Sequence, residues 1–461
     1  MRRVTKMTSQ DSNKKYDPIN GKVIPVFFHY AVPSVIGMLA VTSAGVIDGI
    51  FVGNFVGAVA LAAINISMPA FALFAAVVFM LAVGGSVMCG KFIGEGNLQA
   101  ASAIFSKTVY VTLAVTLLVS VFFLLYLDQL ISMLGANEDL HALVKDYMLI
   151  IVFAAPLLVL GLTLDYFVRI DSRPLLASAA MIAFAFINIG LDYLFIVRLG
   201  WGIKGAAWAT AIAECSIFFI LLTHWFSARC TLNRIPFLQC HRDGWIDVLK
   251  AAYNGVSEFA NEMSIGLMTL LFNWVMITRL GVEGVAAFTI ISYMLYIGLE
   301  VCYGISESLQ PMVSKNLGAK QPQRITRFLL VAVLSCFTIG VLVSGIFLFI
   351  PETLISLFLR EGEDGTVKIA LTFIALFWPA FLFNGMNITL ASYFTALHKP
   401  LQSATIALSR SLVLPVLGLL FLPFWFGDDG VFLAIPAAEA VTFVLAIVLV
   451  SQNRPGDLMQ R

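Results

Sequence analysis

The chain has 461 residues, of which 60% are hydrophobic and 12% are charged, and its formal net charge is +1 at pH 7. Soluble domains are about half apolar and about one quarter charged, so this composition excludes them and predicts an integral membrane protein. A net charge so close to zero offers no basic surface to a polyanion, and we expect no nucleic-acid partner.

Residues 1–23 are polar and lack a small-residue cleavage site before the first hydrophobic run. We interpret them as a cytoplasmic tail rather than a signal peptide. The six cysteines are scattered, and the closest two, Cys230 and Cys240, lie in a polar segment at 229–248 that we place in the cytoplasm. We therefore expect neither a disulfide framework nor a metal site.

Apolar runs of about 20 residues, separated by polar breaks, predict twelve transmembrane helices. They begin near residues 24, 58, 103, 143, 175, 204, 249, 284, 326, 368, 402 and 431. Of the 28 Lys and Arg residues, 22 fall on the side of the two termini and 6 on the other. The positive-inside rule therefore predicts a multi-pass protein of the inner membrane with both termini in the cytoplasm.

The two halves of the chain are similar to each other at an offset of about 225 residues. Six helices in each half mean that both halves run in the same direction, so we expect a pseudo-twofold axis along the membrane normal. We predict an N-terminal six-helix lobe at 24–228, a cytoplasmic linker at 229–248, a C-terminal six-helix lobe at 249–452 and a tail at 453–461. The aligned pairs include Gly57 with Gly281, Ala62 with Ala286, Lys91 with Lys315, Gly202 with Gly427 and Glu214 with Glu439.

Two acidic residues of the N-terminal half have apolar counterparts in the repeat. Asp48 aligns with Phe272, and Asp192 aligns with Leu417. A carboxylate at bilayer depth costs about 3 kcal/mol or more, so it usually faces an ion pathway or a proton relay. The alternative is a purely structural carboxylate that neighbouring helices supply with hydrogen bonds. Because both halves have Glu214 and Glu439, we interpret these two mainly as packing residues.

Counting along the helices places five polar side chains in the outer half of the N-terminal lobe. Asn188 and Asp192 are four residues apart and share one helix face. Oxygen-rich side chains in a low dielectric can share one proton or coordinate Na⁺. We therefore predict a cation-coupling site, with Na⁺ at the two acids as an open alternative to H⁺ and with no other cofactor. Its residues are Asp48, Tyr147, Asn188, Asp192 and Thr210.

The order and spacing of these elements resemble the MATE (multidrug and toxic compound extrusion) transporters over nearly the whole chain. The resemblance rests on Asp48 with Val52-Gly53 and Gly57-x-x-x-Leu61-Ala62-Ala63, on Asn188-x-x-x-Asp192, and on the six-plus-six repeat. In the branch around DinF, a polar cluster of the N-terminal lobe is implicated in cation coupling, and our five residues match it. The resemblance implies an alternating-access exporter of amphipathic or cationic compounds, driven by H⁺ or Na⁺, and not an enzyme.

The sequence departs from another MATE branch, around NorM, which has carboxylates in the seventh and tenth helices. The tenth helix here has Asn384 and Asn387 but no acid. Glu258 and Glu262 in the seventh helix lie about a turn nearer the cytoplasm than the carboxylate of that branch. They are a candidate second ion site or, alternatively, a gating or packing pair. Glu300 and Glu307 of the eighth helix could join them. Pro33, about four turns before Asp48, predicts a hinge or a static kink.

Two other functions are weighed against export. A lipid-linked oligosaccharide flippase would need arginines that face a cleft, and Arg410 is the one candidate. A membrane enzyme would need a motif such as HExxH or GxSxG, and an ATP-driven pump a Walker A sequence; the chain has none of these. We expect a monomer whose partners are the lipid bilayer and small amphipathic substrates.

Overall fold

The computed structural model describes residues 15–235, 245–356 and 364–460, and all regular structure in these ranges is helical. Tail residues 1–14, linker residues 236–244 with Cys240, and residue 461 lie outside the described residues. Apart from the seventh, the spans begin within about five residues of the predicted hydrophobic runs, because an apolar segment in a bilayer must satisfy its backbone hydrogen bonds internally.

Eleven helices of the described residues are long and apolar enough to cross a membrane, and one further pair, bent by 56°, makes a twelfth when it counts as one span. The prediction of twelve spans is thereby confirmed. In chain order, with the bent pair tenth, the spans are Val23–Val56, Ala58–Gly94, Leu98–Leu125, Leu140–Ile170, Pro174–Arg198, Ile203–Phe226, Val256–Gly281, Glu283–Gly318, Pro322–Phe349, Gly365–Phe377 with Pro379–Ala396, Pro400–Phe426 and Asp429–Asp457.

Three spans contain a π-helical segment, a widened turn that is often found at functional sites. The first span is α-helical over Val23–Phe51 and the fifth over Pro174–Asp192, and each then continues as a π-helix. The π-helical segments are Val52–Val56, Tyr193–Arg198 and Ser409–Val413. Short α-helices lie between the spans at Leu127–Met133, Trp245–Asn254 and Pro351–Ser356, and Pro455–Gln460 forms another at the end of the twelfth span.

The seventh span begins at Val256, so the predicted start near residue 249 is wrong. Residues Trp245–Asn254 form a separate helix, and the chain turns at Gly255. A Cβ atom on Gly255 would lie 1.9 Å from the carbonyl oxygen of Met80 in the second span. Only glycine permits this approach, and the contact ends one helix where the hydrophobic run alone predicted a continuous one.

The internal repeat is visible in the backbone conformation as well as in the sequence. Gly202 has φ 61° and ψ −139°, and its counterpart Gly427 has φ 59° and ψ −138°. Residues with positive φ are uncommon, so their recurrence at offsets of 224 to 226 residues indicates that the two halves fold alike. The positive-φ pairs are Gly57 with Gly281, Gly96 with Lys320, Ser172 with His398, and Gly202 with Gly427.

The chain forms two compact units, which we call the N-terminal unit (Val32–Gly255) and the C-terminal unit (Met1–Ala31 with Val256–Arg461). The division differs from the predicted lobes at residues 24–31 and 249–255. Within the C-terminal unit, Arg324 donates hydrogen bonds to the carbonyl oxygens of Pro18 and Gly21 at 2.7 and 2.8 Å. The start of the first span is therefore held by the C-terminal unit.

The cores of the two units differ at the position of Asp48. In the C-terminal unit its counterpart Phe272 is buried and stacks on Phe288 at 5.2 Å between ring centroids. Phe373 extends this cluster and stacks on Phe432 at 4.7 Å. The C-terminal unit thus has an aromatic core where the N-terminal unit has an acidic group.

Candidate functional site

Asp48 and Asp192 form a pair of carboxyl groups in the N-terminal unit. Asp48 lies in the last turn of the first α-helix, and Asp192 ends the fifth; a π-helix follows each. The two carboxyl groups are close enough to interact with each other electrostatically. Asp192 is 0% exposed, and among the described residues no other donor reaches its oxygens. Carboxylates only accept hydrogen bonds, so a hydrogen bond between these two groups would need a proton on one of them.

The other three predicted residues lie beside this pair. The Tyr147 side chain is buried and close enough to Asp48 and Asp192 to interact with both electrostatically. Asn188 is buried one turn before Asp192, and its side-chain N–H groups find no acceptor among the described residues. Thr210 lines the same cavity as Tyr147. The structure therefore places all five predicted residues in one unit, around the carboxyl pair and the adjoining cavity.

This cavity has a volume of about 420 Å³ and is lined by residues from all six spans of the N-terminal unit. Its size falls within the usual range for sites that bind drug-sized molecules. Most of the lining side chains are aliphatic or aromatic, such as Phe71, Phe74 and Met181. The polar side chains of the lining are Ser120, Tyr147, Asp165, Thr210 and Glu214.

One wall of the cavity has a buried ion pair on the fourth span, which the sequence analysis missed. Arg169 donates from Nε to Oδ2 of Asp165 at 2.8 Å, and its other nitrogens reach Ser34 and Met181. Both side chains are almost completely buried. The second oxygen of Asp165, Oδ1, has no donor within the described part of the chain. A spacing of four residues was the available signal, but it is equally typical of surface pairs.

In the C-terminal unit, Glu439 is the centre of a buried polar network. Its carboxylate accepts hydrogen bonds from Asn384 at 2.8 Å and from Asn387 at 2.7 Å, and it pairs with Arg410 at 3.2 Å. Arg410 also donates to Asn261 at 3.4 Å. The acid that the tenth helix lacks therefore comes from the twelfth span, and Arg410, the candidate flippase arginine, is occupied by it.

Four further glutamates of the C-terminal unit lie close to one another. Glu258 interacts electrostatically with Glu262 and Glu307, and Glu300 interacts with the same two residues. The structure thus groups the four acids, Glu258 and Glu262 from the seventh span and Glu300 and Glu307 from the eighth. Their role as a second ion site or a gate stays a prediction.

At the ends of the fourth and sixth spans, the Asp171 carboxylate connects both spans with the start of the linker. It accepts from His224 Nε2 at 2.7 Å and from the Thr231 amide at 2.9 Å. Burial, reinforced by the Asp171 carboxylate, raises the pKa of the Cys230 thiol to about 11. Asp171, His224 and Cys230 have the ligand types and spacing that could hold a metal ion, a grouping that the scattered cysteines did not predict. We interpret the group as an anchor for the linker, because hydrogen-bond donors already occupy the carboxylate.

Comparison with known proteins gives a consistent set of relatives. The MatE family model matches residues 33–194 and 260–420, one segment in each half. A FAD transporter of Shewanella oneidensis is 29% identical over 426 residues, which cover 89% of this chain and 90% of that protein. The multidrug export protein MepA of Staphylococcus haemolyticus is 24% identical over 437 residues, with 94% of each chain covered.

Solved structures of MATE proteins share the fold. A MATE transporter in complex with MaL6 has a TM-score of 0.90 at 21% identity, covering 97% of this chain and 100% of that one. The outward-facing conformation of a multidrug resistance MATE transporter has a TM-score of 0.89 at 21% identity, covering 97% and 99%. At these identities the likeness concerns the fold alone.

Proposed function

This chain belongs to the MATE family of membrane transporters, and from that premise we propose that it exports amphipathic cations in exchange for protons. The observation that carries the proposal is the Asp48–Asp192 pair beside an apolar cavity. Two carboxyl groups that interact in a low dielectric favour one shared proton, because two like charges without a cation between them repel each other. The adjoining cavity has carboxylates but no unpaired cation among its lining residues, which favours positively charged substrates.

We propose a cycle in which the proton and the substrate alternate. A proton that enters from the more acidic side is shared by Asp48 and Asp192, which removes the repulsion between two ionised carboxylates and lets their helices approach. The substrate leaves as the helices close, and loss of the proton towards the cytoplasm restores a negative site for the next cation. Pro33 is the proposed hinge, since it frees one backbone carbonyl within the first span.

Two other substrates have less support. FAD has a pyrophosphate group, which binds best to arginines or backbone N–H groups. Arg169, near the cavity, is held by Asp165, and Arg410 is held by Glu439. A lipid-linked pyrophosphate would meet the same two paired arginines. The DinF-like branch, the monomeric state and cytoplasmic termini stay predictions.

Ethidium efflux from proteoliposomes under separately imposed H⁺ and Na⁺ gradients tests the proposal. The H⁺ gradient should drive efflux in wild type, and Asp192→Asn should abolish it while the protein remains in the membrane. Asp146→Asn, which removes a surface carboxylate of the fourth span paired with Lys204, is the matched control and should pump normally. Efflux driven by Na⁺ alone would assign Na⁺ as the coupling ion. Normal pumping by Asp192→Asn would shift the coupling to Glu258 or Glu262.

A further inference from the structure

The repeat aligns Glu214 with Glu439, yet the two glutamates have different surroundings. Glu439 accepts hydrogen bonds from two asparagines and pairs with Arg410. Glu214 has no such donor or cationic partner among the described residues, and it borders the cavity of the N-terminal unit. The common origin of the halves therefore explains why both have a glutamate at this position, but not why only one of them is neutralised.

Arg410 has no basic counterpart in the N-terminal half. The offset that aligns Asp192 with Leu417 places Arg410 opposite Ala185, and the neighbouring residue is Phe186. An unneutralised carboxylate in an apolar wall is costly, because desolvation penalises the charge and no partner offsets it. A cationic ligand in the cavity would provide the missing partner.

Asp165 provides the same cavity with a second carboxylate, one oxygen of which lacks a hydrogen-bond donor. Arg169 takes its Oδ2, whereas Oδ1 is buried and has no donor in the described part of the chain. A buried acceptor without a donor is unfavourable, so a ligand N–H that reaches it gains a full hydrogen bond. The ion pair fixes the carboxylate in place, and only its free oxygen is left for the ligand.

The distance between these two groups follows from the packing of the fourth and sixth spans. A Cβ at Gly161 would lie 3.0 Å from the Phe218 nitrogen, so these residues are level with each other. Glu214 precedes Phe218 by four residues and Asp165 follows Gly161 by four. Both spans run in the same direction, so the two carboxylates are about 12 Å apart along the helix axes.

Resting on the proposed export of cations, we propose that Glu214 selects substrates by charge and that Asp165 accepts a hydrogen bond from the far end of the same molecule. The preferred substrates are then flat aromatic cations with a free amino or amidino group. About 12 Å suits three fused rings with nitrogen substituents at both ends. At the equivalent position of the C-terminal unit, Glu439 is already paired with Arg410.

Three related dyes separate the two roles in a binding assay without any gradient. The rhodamine methyl ester with free amino groups has both a positive charge and N–H donors. Its tetramethyl analogue keeps the charge but has no N–H donors, and the free acid of the parent dye keeps the donors but is a zwitterion. Fluorescence anisotropy with detergent-solubilised protein measures each dissociation constant.

Glu214→Gln should weaken both cationic dyes about tenfold or more and change binding of the zwitterion less than about threefold. Asp165→Asn should weaken the amino dye about tenfold and leave the tetramethyl analogue nearly unchanged, and unchanged binding of the analogue also shows that the cavity is intact. Glu95→Gln, which changes a surface carboxylate paired with Lys91, is the control and should bind like wild type.

An equal effect of Glu214→Gln on all three dyes, or no effect on any, would overturn the assignment of charge selection. Equal losses of both cationic dyes in Asp165→Asn would overturn the hydrogen-bond role. The assay does not depend on the coupling ion, since a variant such as Asp192→Asn can fail to pump and still bind. Failure of this inference is therefore distinguishable from failure of the proposed export.

Discussion

Loss of the Glu439 carboxylate should destabilise the C-terminal unit strongly. The side chains of Arg410 and Glu439 are 7% and 2% exposed and their charges are 3.2 Å apart. Glu439→Gln would leave the Arg410 guanidinium buried without a counter-charge and would present an amide N–H₂ to the donors of Asn384 and Asn387. Breaking a buried pair by removing one partner costs about 3–5 kcal/mol, which corresponds to a loss of about 6 °C or more in Tm.

Thermal unfolding of detergent-solubilised protein, followed by tryptophan fluorescence, measures this loss. The matched control is Asp428→Asn, which removes a partner of Arg279 at 3.4 Å where the side chains are 52% and 44% exposed; such a pair contributes about 0–1 kcal/mol. Arg410→Met combined with Glu439→Gln should recover much of the loss, because both charges are gone. A Tm shift in Glu439→Gln no larger than in Asp428→Asn would refute the description of Glu439 as a neutralised structural residue.

Two further predictions concern the residues before the seventh span. Gly255→Ala should abolish monodisperse folded protein in size-exclusion chromatography, because its Cβ would lie 1.9 Å from the Met80 oxygen. The control Gly345→Ala should fold normally, because a Cβ there has nothing within 4 Å. Normal folding of Gly255→Ala would contradict the close approach of Gly255 to Met80. In a Cys240→Ser background, alkylation of Cys230 should rise with pH with a midpoint near pH 11, because only the thiolate reacts. Asp171→Asn removes a negative charge, so the apparent pKa of the thiol should fall; an unchanged pH profile would contradict the effect of Asp171.

The sequence predicted the helices and the repeat well, for a physical reason. An apolar run of about 20 residues has no alternative to a helix in a bilayer. The offset of about 225 residues then places Gly202 and Gly427 in the same uncommon backbone conformation. The start of the seventh span could not be predicted in this way, because the approach of Gly255 to Met80 joins residues that are far apart in the chain.

The acidic pair was predictable because Asp48 and Asp192 interrupt apolar helices and have apolar counterparts. Glu214 was not, since the repeat assigns it the same role as Glu439. The difference depends on Arg410, which reaches Glu439 from a π-helical turn that periodicity does not reveal. Asp165 was missed because one free carboxylate oxygen beside a cavity is a property of the packing.

Proton release on substrate binding tests the central claim most directly, namely that Asp48 and Asp192 share one proton that the substrate displaces. Detergent-solubilised protein in weakly buffered solution, with a pH indicator, is titrated with the rhodamine methyl ester between about pH 6 and 8. The account predicts about one proton released per bound cation in wild type, and none in Asp192→Asn even where the dye still binds. Binding to wild type without proton release at any pH in this range would contradict it.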